Sequence, residues 1–392
     1  MTDPLVAPAA PAGPGTPAAE PALHHTPLHA LHQELGARMV PFAGYSLPVQ
    51  YPAGLAAEHR HTRQAASLFD VSHMGQISVT GPDAAAALES VLPIDLLALA
   101  TGRQRYGLLL DDGGCILDDL MVFKRGDGDF FLIVNGACKA ADLAYLQARI
   151  GQRCTVQALP DLALLALQGP QAAAVLQRLA PGVEALVFMS GATLEVQGQP
   201  CLVTRSGYTG EDGFEISVPA AHADALARTL LAQTEVLPAG LGARNSLRLE
   251  AGLCLYGTDM DATTTPVEAS LAWAIPKVRR TGGARVGGFA GADFVLAQLD
   301  DPLLATRRRV GLLATERIPV REPAVLQNMD GQRVGQVTSG LLSPSLNQPI
   351  ALASVKPDYI RPGTELFAMV RGKPVPMVVT ATPFVPAHYH RG

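Results

Sequence analysis

The chain has few of the features that mark secreted, metal-binding or membrane-spanning proteins. Its 392 residues include only five cysteines, without a Cys-x-x-Cys pair, so neither a disulfide framework nor a zinc site is indicated, and no metal is expected. No apolar run approaches the ~18 residues that a membrane helix needs. A formal net charge of −5 argues against nucleic acid or an anionic membrane as the main partner.

Residues 1–26 are rich in alanine and proline and contain no lysine or arginine. A secretory signal peptide has a basic start and an organellar transit peptide is rich in arginine, so neither is indicated. The composition predicts a disordered extension. Because the cysteines also lack partners in the sequence, we expect a cytoplasmic, reducing environment.

The remainder of the chain predicts an α+β fold of two or three domains. Strands occur in hairpin-like runs and not in strict alternation with helices, which favours antiparallel sheets. A helix is predicted at Leu28–Leu35 and another at Glu58–Ser67, with ordered structure beginning at Pro27. After Arg307 the sequence consists of short strands and turns, which predicts an all-β C-terminal domain.

The segment Thr204–Val218 combines a glycine-rich turn with a tyrosine and an alternating strand. Phe214 and the residue two further on share one face of that strand, and Glu215 lies on the other. A flat ring could therefore lie against Tyr208 with its edge held by the Glu215 carboxylate. The alternative, a surface hairpin with an exposed glutamate, remains open at this point.

Asp118 and Asp119 follow a glycine turn at the start of a predicted strand. Neighbouring strand residues face opposite ways, so we expect only one of the two to point into a given pocket. Acidic residues after glycine are often simple turn residues. Near Tyr106 and Asn135, however, a buried carboxylate with a shifted pKa could interact with an amine.

Arg244 begins a predicted helix directly after a glycine turn at Gly240. A cation there opposes the helix dipole, so it needs another reason for its position, such as a carboxylate or a polar ring edge. His59 and His61 lie on different faces of a predicted helix, which is poor geometry for a metal. The glycines of the Tyr208 segment precede a strand and not a helix, so they are no dinucleotide fingerprint.

Taken together, nine ordered stretches resemble the aminomethyltransferase (T-protein) family of the glycine cleavage system, from about Pro27 to Phe384. The stretches are Val40–Tyr51, Leu68–Gly75, Ile116–Leu120, Leu167–Pro170, Ser206–Glu211, Gly240–Arg244, Leu247–Leu253, Thr265–Glu268 and Val337–Gly340.

The resemblance implies three domains around a central channel that holds tetrahydrofolate. The first two are interleaved α+β domains with antiparallel sheets, at residues 27–71 with 161–265 and at residues 72–160 with 266–300. The third, residues 301–392, is a β-barrel or jelly roll. The implied reaction transfers the aminomethyl carbon of the lipoylated H-protein to tetrahydrofolate, giving 5,10-methylenetetrahydrofolate and releasing ammonia.

The resemblance also implies a set of folate-binding residues. They are Met74, Tyr106, Asp119, Asn135, Tyr208, Glu215 and Arg244. Asp119 matches the acidic residue nearest the reacting nitrogens, and we expect it to be catalytic through charge stabilisation or proton transfer. Glu215 is expected to bind the amino-pyrimidine edge of the pterin, because a carboxylate accepts two parallel N–H donors well.

The sequence departs from the family pattern at Cys115, where a glycine is usual, and at Asn245, where an aspartate is usual and a salt bridge could be weakened. The stretch 277–288 is more basic than expected, and its three arginines, Arg279, Arg280 and Arg285, are predicted to help dock an acidic H-protein. The alternative functions are a folate-dependent demethylase and a non-enzymatic folate-binding relative. The Lys-Gly-Cys-Tyr motif of a related iron–sulfur assembly group is absent from the sequence.

Overall fold

The computed structural model describes residues 22–392, so most of the predicted extension lies outside the described residues. The chain is ordered earlier than Pro27, where the sequence placed the start. The backbone of His24 pairs with that of Tyr45. The Thr26 hydroxyl donates a hydrogen bond of 2.6 Å to Asp70 in the interior. A disordered segment reaching residue 26 is therefore too long, because these contacts already fix its last residues.

The described residues form eight α-helices and nineteen strands. The helices are α1 His29–Glu34, α2 Leu55–Gln64, α3 Ala84–Glu89, α4 Lys139–Ile150, α5 Ala172–Gln177, α6 Ala220–Leu231, α7 Leu241–Glu250 and α8 Ala292–Asp300. The strands before residue 160 are β1 Arg38–Phe42, β2 Tyr45–Gln50, β3 Ala66–Asp70, β4 Gly75–Thr80, β5 Gln104–Leu110, β6 Ile116–Gly126, β7 Asp129–Val134 and β8 Thr155–Ala158. The later strands are β9 Leu162–Gln168, β10 Ser190–Val196, β11 Gln199–Arg205, β12 Gly213–Pro219, β13 Val236–Pro238, β14 Arg308–Ala314, β15 Val325–Gln327, β16 Arg333–Leu342, β17 Pro349–Val355, β18 Glu365–Val370 and β19 Lys373–Thr380.

The first large sheet has the strand order β10-β11-β12-β9-β3-β13. Strand β9 (LALLALQ) is apolar on both faces because both are covered. Leu165 and Leu167 pack into a core with α5 and α6. Leu164 and Ala166 face the opposite core, which also contains Leu247 of α7. The only parallel pair between described strands joins β13 to β3.

The second sheet has the order β5-β6-β7-β4-β8 and packs against α3 and α4 on one face. Its other face carries Phe123, Phe131 and Ile133, which share a single core with Phe69 of the first sheet. The two sheets therefore pack together through one apolar layer. Polar side chains at the rim of this layer are held at fixed distances because both walls are rigid.

The C-terminal strands close a six-stranded barrel of order β14-β17-β16-β15-β18-β19, with β19 returning to β14. Leu249 of α7 packs on Ile350 and Leu352 of the barrel. The α+β class, the antiparallel sheets and the C-terminal barrel are thus confirmed. The strands of the first sheet flank those of the second in the chain. The exact domain boundaries stay a prediction.

Two local predictions differ from the structure. The second predicted helix ends at Gln64, because Ala66 and Ser67 belong to β3, whose partners β9 and β13 lie far away in the sequence. Tertiary pairing overrides the local helical pattern there. Helix α8 was not predicted. Within residues 22–392, no helix is long and apolar enough to cross a membrane.

Candidate functional site

Strand β6 carries the acidic pair and separates its members by environment. The alternation of the strand places Asp118 on the same face as Leu120 and Val122, and this aspartate is fully buried. Asp119 points the other way and is partly exposed. The different exposure of Asp118 and Asp119 agrees with the prediction that the two side chains face opposite sides of the strand.

A single amide nevertheless reaches both carboxylates. Asn135 follows the end of β7, and its Nδ2 donates at 2.8 Å to an oxygen of Asp118 and at 2.8 Å to an oxygen of Asp119. Its backbone N–H also donates to Asp118 at 3.0 Å. Asn135 can do this because it lies beyond the last strand pair, at the open end of the sheet. Asp118 faces away from Asp119, as expected, but the Asn135 amide links the two carboxylates.

Tyr106 of β5 donates a 3.0 Å hydrogen bond to Asp119. Burial and, after it, the charge of Asp118 raise the pKa of Asp119 to about 7, against the opposing effect of the Tyr106 and Asn135 hydrogen bonds. The only tryptophan of the sequence, Trp273, stacks on Tyr106 with ring centroids 5.3 Å apart and is 64% exposed. Sequence reasoning missed Trp273, although its singular occurrence was a usable signal.

The Tyr208 segment is a hairpin loop between β11 and β12, as predicted, with Thr204 opposite Glu215. The two ends of the loop are tied together by Arg205, which pairs with Asp212. Glu215 is only 7% exposed, so the alternative of an exposed surface glutamate is wrong. The face of β12 that carries Glu215 is covered because the second sheet packs near it.

Glycines shape this loop mainly by close approach. Gly210 has a φ of +79°. Gly207 and Gly213 do not need an unusual φ, but a Cβ on them would lie 1.9 and 2.6 Å from the side chain of Gln168. Gln168 is buried, donates to the Ser206 carbonyl at 2.9 Å and accepts from Thr209 at 2.7 Å. The loop therefore packs against, and hydrogen-bonds to, the side chain of Gln168.

Arg244 lies in the first turns of α7, as predicted. Its guanidinium stacks over the Tyr208 ring at 4.8 Å and approaches the Met74 sulfur at 4.0 Å. Burial lowers the pKa of Arg244, while the Glu215 carboxylate opposes that shift. Its Nη1 is buried and has no hydrogen-bond partner among residues 22–392. An unsatisfied buried donor of this kind is suited to a ligand.

The two groups of predicted residues lie close together. The Tyr208 hydroxyl donates to the Cys254 carbonyl. Burial raises the pKa of Tyr208, and the charge of Asp119 raises it further. All of the predicted residues except Glu215 are neither fully buried nor exposed. Desolvated groups that still touch solvent indicate a recess, and its walls come from both sheets, α7 and the segment after it.

The three arginines predicted to dock H-protein make contacts within the protein, and the docking role stays a prediction. Arg279 is buried and donates to Glu89 and to backbone carbonyls. Arg280 donates to two carbonyls, and Arg285 pairs with Glu89 and Asp95. All three guanidinium groups hydrogen-bond to acceptors within the protein, so few of their N–H donors are free for a partner.

Asn245 keeps a local contact, because its Oδ1 accepts from Arg248 at 2.8 Å. The predicted loss of a salt bridge at this position is compensated by that hydrogen bond. At Cys115, the backbone N–H donates to Asp111 at 2.8 Å and closes the turn before Asp118. The substituted residue therefore fits a regular turn.

No cluster of potential metal ligands occurs in the part of the chain that the structure describes. A surface cavity of about 480 Å³ lies elsewhere, beside Arg149, Asp112 and residues 288–294. It contains none of the predicted folate residues. The recess differs from this cavity because desolvated ionisable groups and the unsatisfied Arg244 donor meet there.

Comparison with known proteins gives consistent matches over both parts of the chain. Residues 28–279 match the family model of the GCVT N-terminal domain, and residues 307–386 match the glycine cleavage T-protein C-terminal barrel domain. The human mitochondrial aminomethyltransferase is 46% identical over 380 residues, covering 95% of this chain and 92% of the relative. The mitochondrial aminomethyltransferase of Dictyostelium discoideum is 42% identical over 386 residues, covering 94% of each.

Among solved structures, the glycine cleavage system aminomethyltransferase T from Bartonella henselae superposes with a TM-score of 0.88 at 44% identity. The match covers 94% of this chain and 100% of that one. These relatives define a class of enzymes, the aminomethyltransferases. The chain belongs to the glycine cleavage T-protein family within that class.

Proposed function

We propose that this protein transfers the aminomethyl carbon of S-aminomethyldihydrolipoyl H-protein to tetrahydrofolate. The products are 5,10-methylenetetrahydrofolate, ammonia and the dihydrolipoyl H-protein. The observation that carries the proposal is the meeting of Asp119 with Tyr208, Arg244 and Glu215 in one recess between two rigid sheets. The family membership supports the same reaction class.

The recess has the donors and acceptors that a reduced pterin requires. Oε2 of Glu215 accepts from Ser206 at 2.9 Å, whereas its Oε1 accepts no hydrogen bond from the residues that the structure describes. That oxygen is suited to the N–H donors of an amino-pyrimidine edge. Nη1 of Arg244 needs an acceptor, and the exposed ring of Trp273 offers an apolar face at the Tyr106 side.

Tetrahydrofolate, when bound, supplies the nitrogen atoms that accept the one-carbon unit. Asp119 lies in a desolvated position with a pKa of about 7, so near neutral pH it exists in both protonation states. It can therefore stabilise positive charge on a neighbouring nitrogen or move a proton. Tyr106 and Asn135 hold its two oxygens, which keeps the carboxylate oriented. The chain's remaining contribution is to exclude water and hold the two substrates together.

The direct test is to incubate the protein with tetrahydrofolate and aminomethyl-loaded H-protein and to measure methylenetetrahydrofolate and ammonia. We expect both products in equal amounts. Folate binding without either product would refute the transferase assignment and leave a binding protein. Product formation from a methylated donor without H-protein would instead identify a demethylase.

H-protein and tetrahydrofolate are the proposed partners, and no metal takes part in the proposed reaction. The human and Dictyostelium discoideum relatives are named mitochondrial, which does not support the cytoplasmic location expected from the sequence. Fractionation of the source cells, followed by detection of the protein, would determine where it resides.

A further inference from the structure

Behind the recess lies a second pair of carboxyl groups, Asp118 and Asp142. Asp142 belongs to the first turn of α4 and is 2% exposed. Its side chain is within hydrogen-bonding range of the Asp118 carboxyl. Oδ2 of Asp142 is buried, and no donor for it exists among the residues that the structure describes.

Two buried carboxyl groups in contact cannot both be charged at low cost, so one of them carries a proton. Asp118 accepts two hydrogen bonds from Asn135, and these favour its charged form. Asp142 has no such donors. Its proton can then be placed between the two groups, which satisfies the otherwise unpaired oxygen.

The surroundings of Asp142 favour its neutral form. Burial, together with the negative charges of Asp118 and Asp119, raises the pKa of Asp142 to about 9. The other titratable groups that face this pair are Cys138, just before α4, and Tyr256, whose hydroxyl donates to the Ile116 carbonyl at 3.0 Å. The dipole of α4 favours a negative charge in its first turn, but this effect is weak beside burial and two neighbouring negative charges.

We propose that Asp142 is a positioning residue, a neutral acid that donates a hydrogen bond to Asp118 and thereby orients Asn135 toward Asp119. The hydrogen bonds form a continuous chain from Asp142 to Asp119. Asp142 donates to Asp118, Asn135 donates to Asp118 and to Asp119, and Tyr106 donates to Asp119. The consequence for Asp119 rests on the proposed function, whereas the protonated state of Asp142 does not.

The arrangement has an electrostatic purpose as well as a geometric one. A neutral Asp142 limits the pair behind Asp119 to one negative charge. The single negative charge, on Asp118, raises the pKa of Asp119. A charged Asp142 would place a second negative charge behind Asp119. If the donor from Asp142 is lost, Asp118 becomes easier to protonate, its negative charge is present for a smaller fraction of the time, and the pKa of Asp119 falls.

The test compares Asp142→Asn with Asp142→Ala. The asparagine keeps an N–H donor toward Asp118, so we expect turnover within about threefold of wild type and an unchanged acid limb of the pH profile. The alanine removes the donor. We expect a loss of turnover of about tenfold or more, since small misplacements of reacting groups are costly, with the acid limb moved to lower pH. Asp293→Ala, in the first turn of α8 and exposed, is the matched control and should behave as wild type.

A second measurement compares Asp142→Asn with wild type by infrared spectroscopy and does not depend on enzymatic activity. The infrared carbonyl band of protonated carboxyl groups, recorded at neutral pH, should be weaker in Asp142→Asn than in wild type. An identical band would overturn the proposal, as would an asparagine variant as impaired as the alanine variant. Absence of transfer by wild-type protein would refute the proposed function alone, because the infrared result is independent of it.

Discussion

At Asp119 and Glu215, two carboxylates with different surroundings face one recess. Asp119 is held by a phenol and an amide, and its pKa is about 7 because burial and Asp118 disfavour its charge. Glu215 lies near the guanidinium of Arg244, which it stabilises. These environments suit Asp119 to proton transfer or stabilisation of positive charge, and Glu215 to ligand binding.

We expect Asp119→Asn to lower turnover by ~10²-fold or more while folate affinity stays within about tenfold. The amide keeps the size of the side chain and one acceptor for Tyr106, but it cannot carry the charge. Wild-type turnover should rise with pH through about 7, as the carboxyl group ionises. Steady-state kinetics and folate titration measure both quantities.

Asp127→Asn is the matched control for that charge change, because Asp127 is exposed in the turn after β6. It should leave turnover and its pH dependence unchanged. Equal turnover of Asp119→Asn and wild type would rule out the assigned role of Asp119.

Glu215→Gln should weaken folate binding by about tenfold or more, because hydrogen bonds to a charged group contribute ~1.5–3 kcal/mol. The amide retains one oxygen, so Ser206 keeps its acceptor. Turnover at saturating folate should change much less than affinity does. Calorimetric titration measures the affinity, with Glu195→Gln on the exposed face of β10 as control. A turnover defect without an affinity defect would contradict the binding role.

At the level of elements, the β11–β12 hairpin holds Tyr208 and Glu215 in place through Gln168 of β9. Gly207 and Gly213 lie against that side chain, and Thr209 and Ser206 hydrogen-bond to it. The ligand-binding loop therefore has the rigidity of a central strand. A disturbance of this contact should be transmitted to both site residues.

Gly207→Ala should lower the free energy of unfolding by ~1–3 kcal/mol, the usual cost of overpacking, and should weaken folate binding. In a Gln168→Ala background the same glycine substitution should cost less, because the atom it strikes is gone. Gly126→Ala is the control, since a Cβ there meets no atom within 4 Å. Denaturant unfolding measures the effect. An equal cost in both backgrounds would disprove the proposed clash.

At the level of the whole molecule, Glu250 connects three parts of the chain. It ends α7, pairs with His59 and Arg63 of α2, and accepts from Ser343 and Ser345 at the barrel. Arg63 also pairs with Glu211, which His388 near the C-terminus contacts at 3.0 Å. One largely buried ionic network, exposed only at His388, therefore joins the barrel, the first sheet and the C-terminal segment.

Glu250→Gln should lower the free energy of unfolding at pH 7 by roughly 3 kcal/mol, because it leaves buried partners uncompensated. Burial alone would raise the pKa of Glu250, but the His59 and serine hydrogen bonds lower it to about 2. The contribution of ionised Glu250 to the free energy of unfolding is fully present above the unfolded-state pKa of about 4.3. It is lost as pH falls toward 2.

Thermal or denaturant unfolding of wild type and Glu250→Gln across this pH range measures the effect. The difference between the two proteins should shrink below pH ~4.5. The exposed Glu316→Gln variant serves as control and should show no such dependence. A difference that stays constant down to the lowest pH would refute the role of the Glu250 charge.

The sequence by itself determined the α+β class, an all-β C-terminal domain and the acidic, tyrosine and arginine residues of the candidate site, because alternation, turns and glycines are local signals. The barrel was implied only by the resemblance to the T-protein family. Only the tertiary structure decided that one amide serves both Asp118 and Asp119, that Asp142 lies behind them, and that Arg279 and Arg285 are consumed internally. Those facts depend on contacts such as Arg279 with Glu89, 190 positions away in the chain. Burial and pairing of charges arise where distant segments meet, and no local pattern specifies which segments those are.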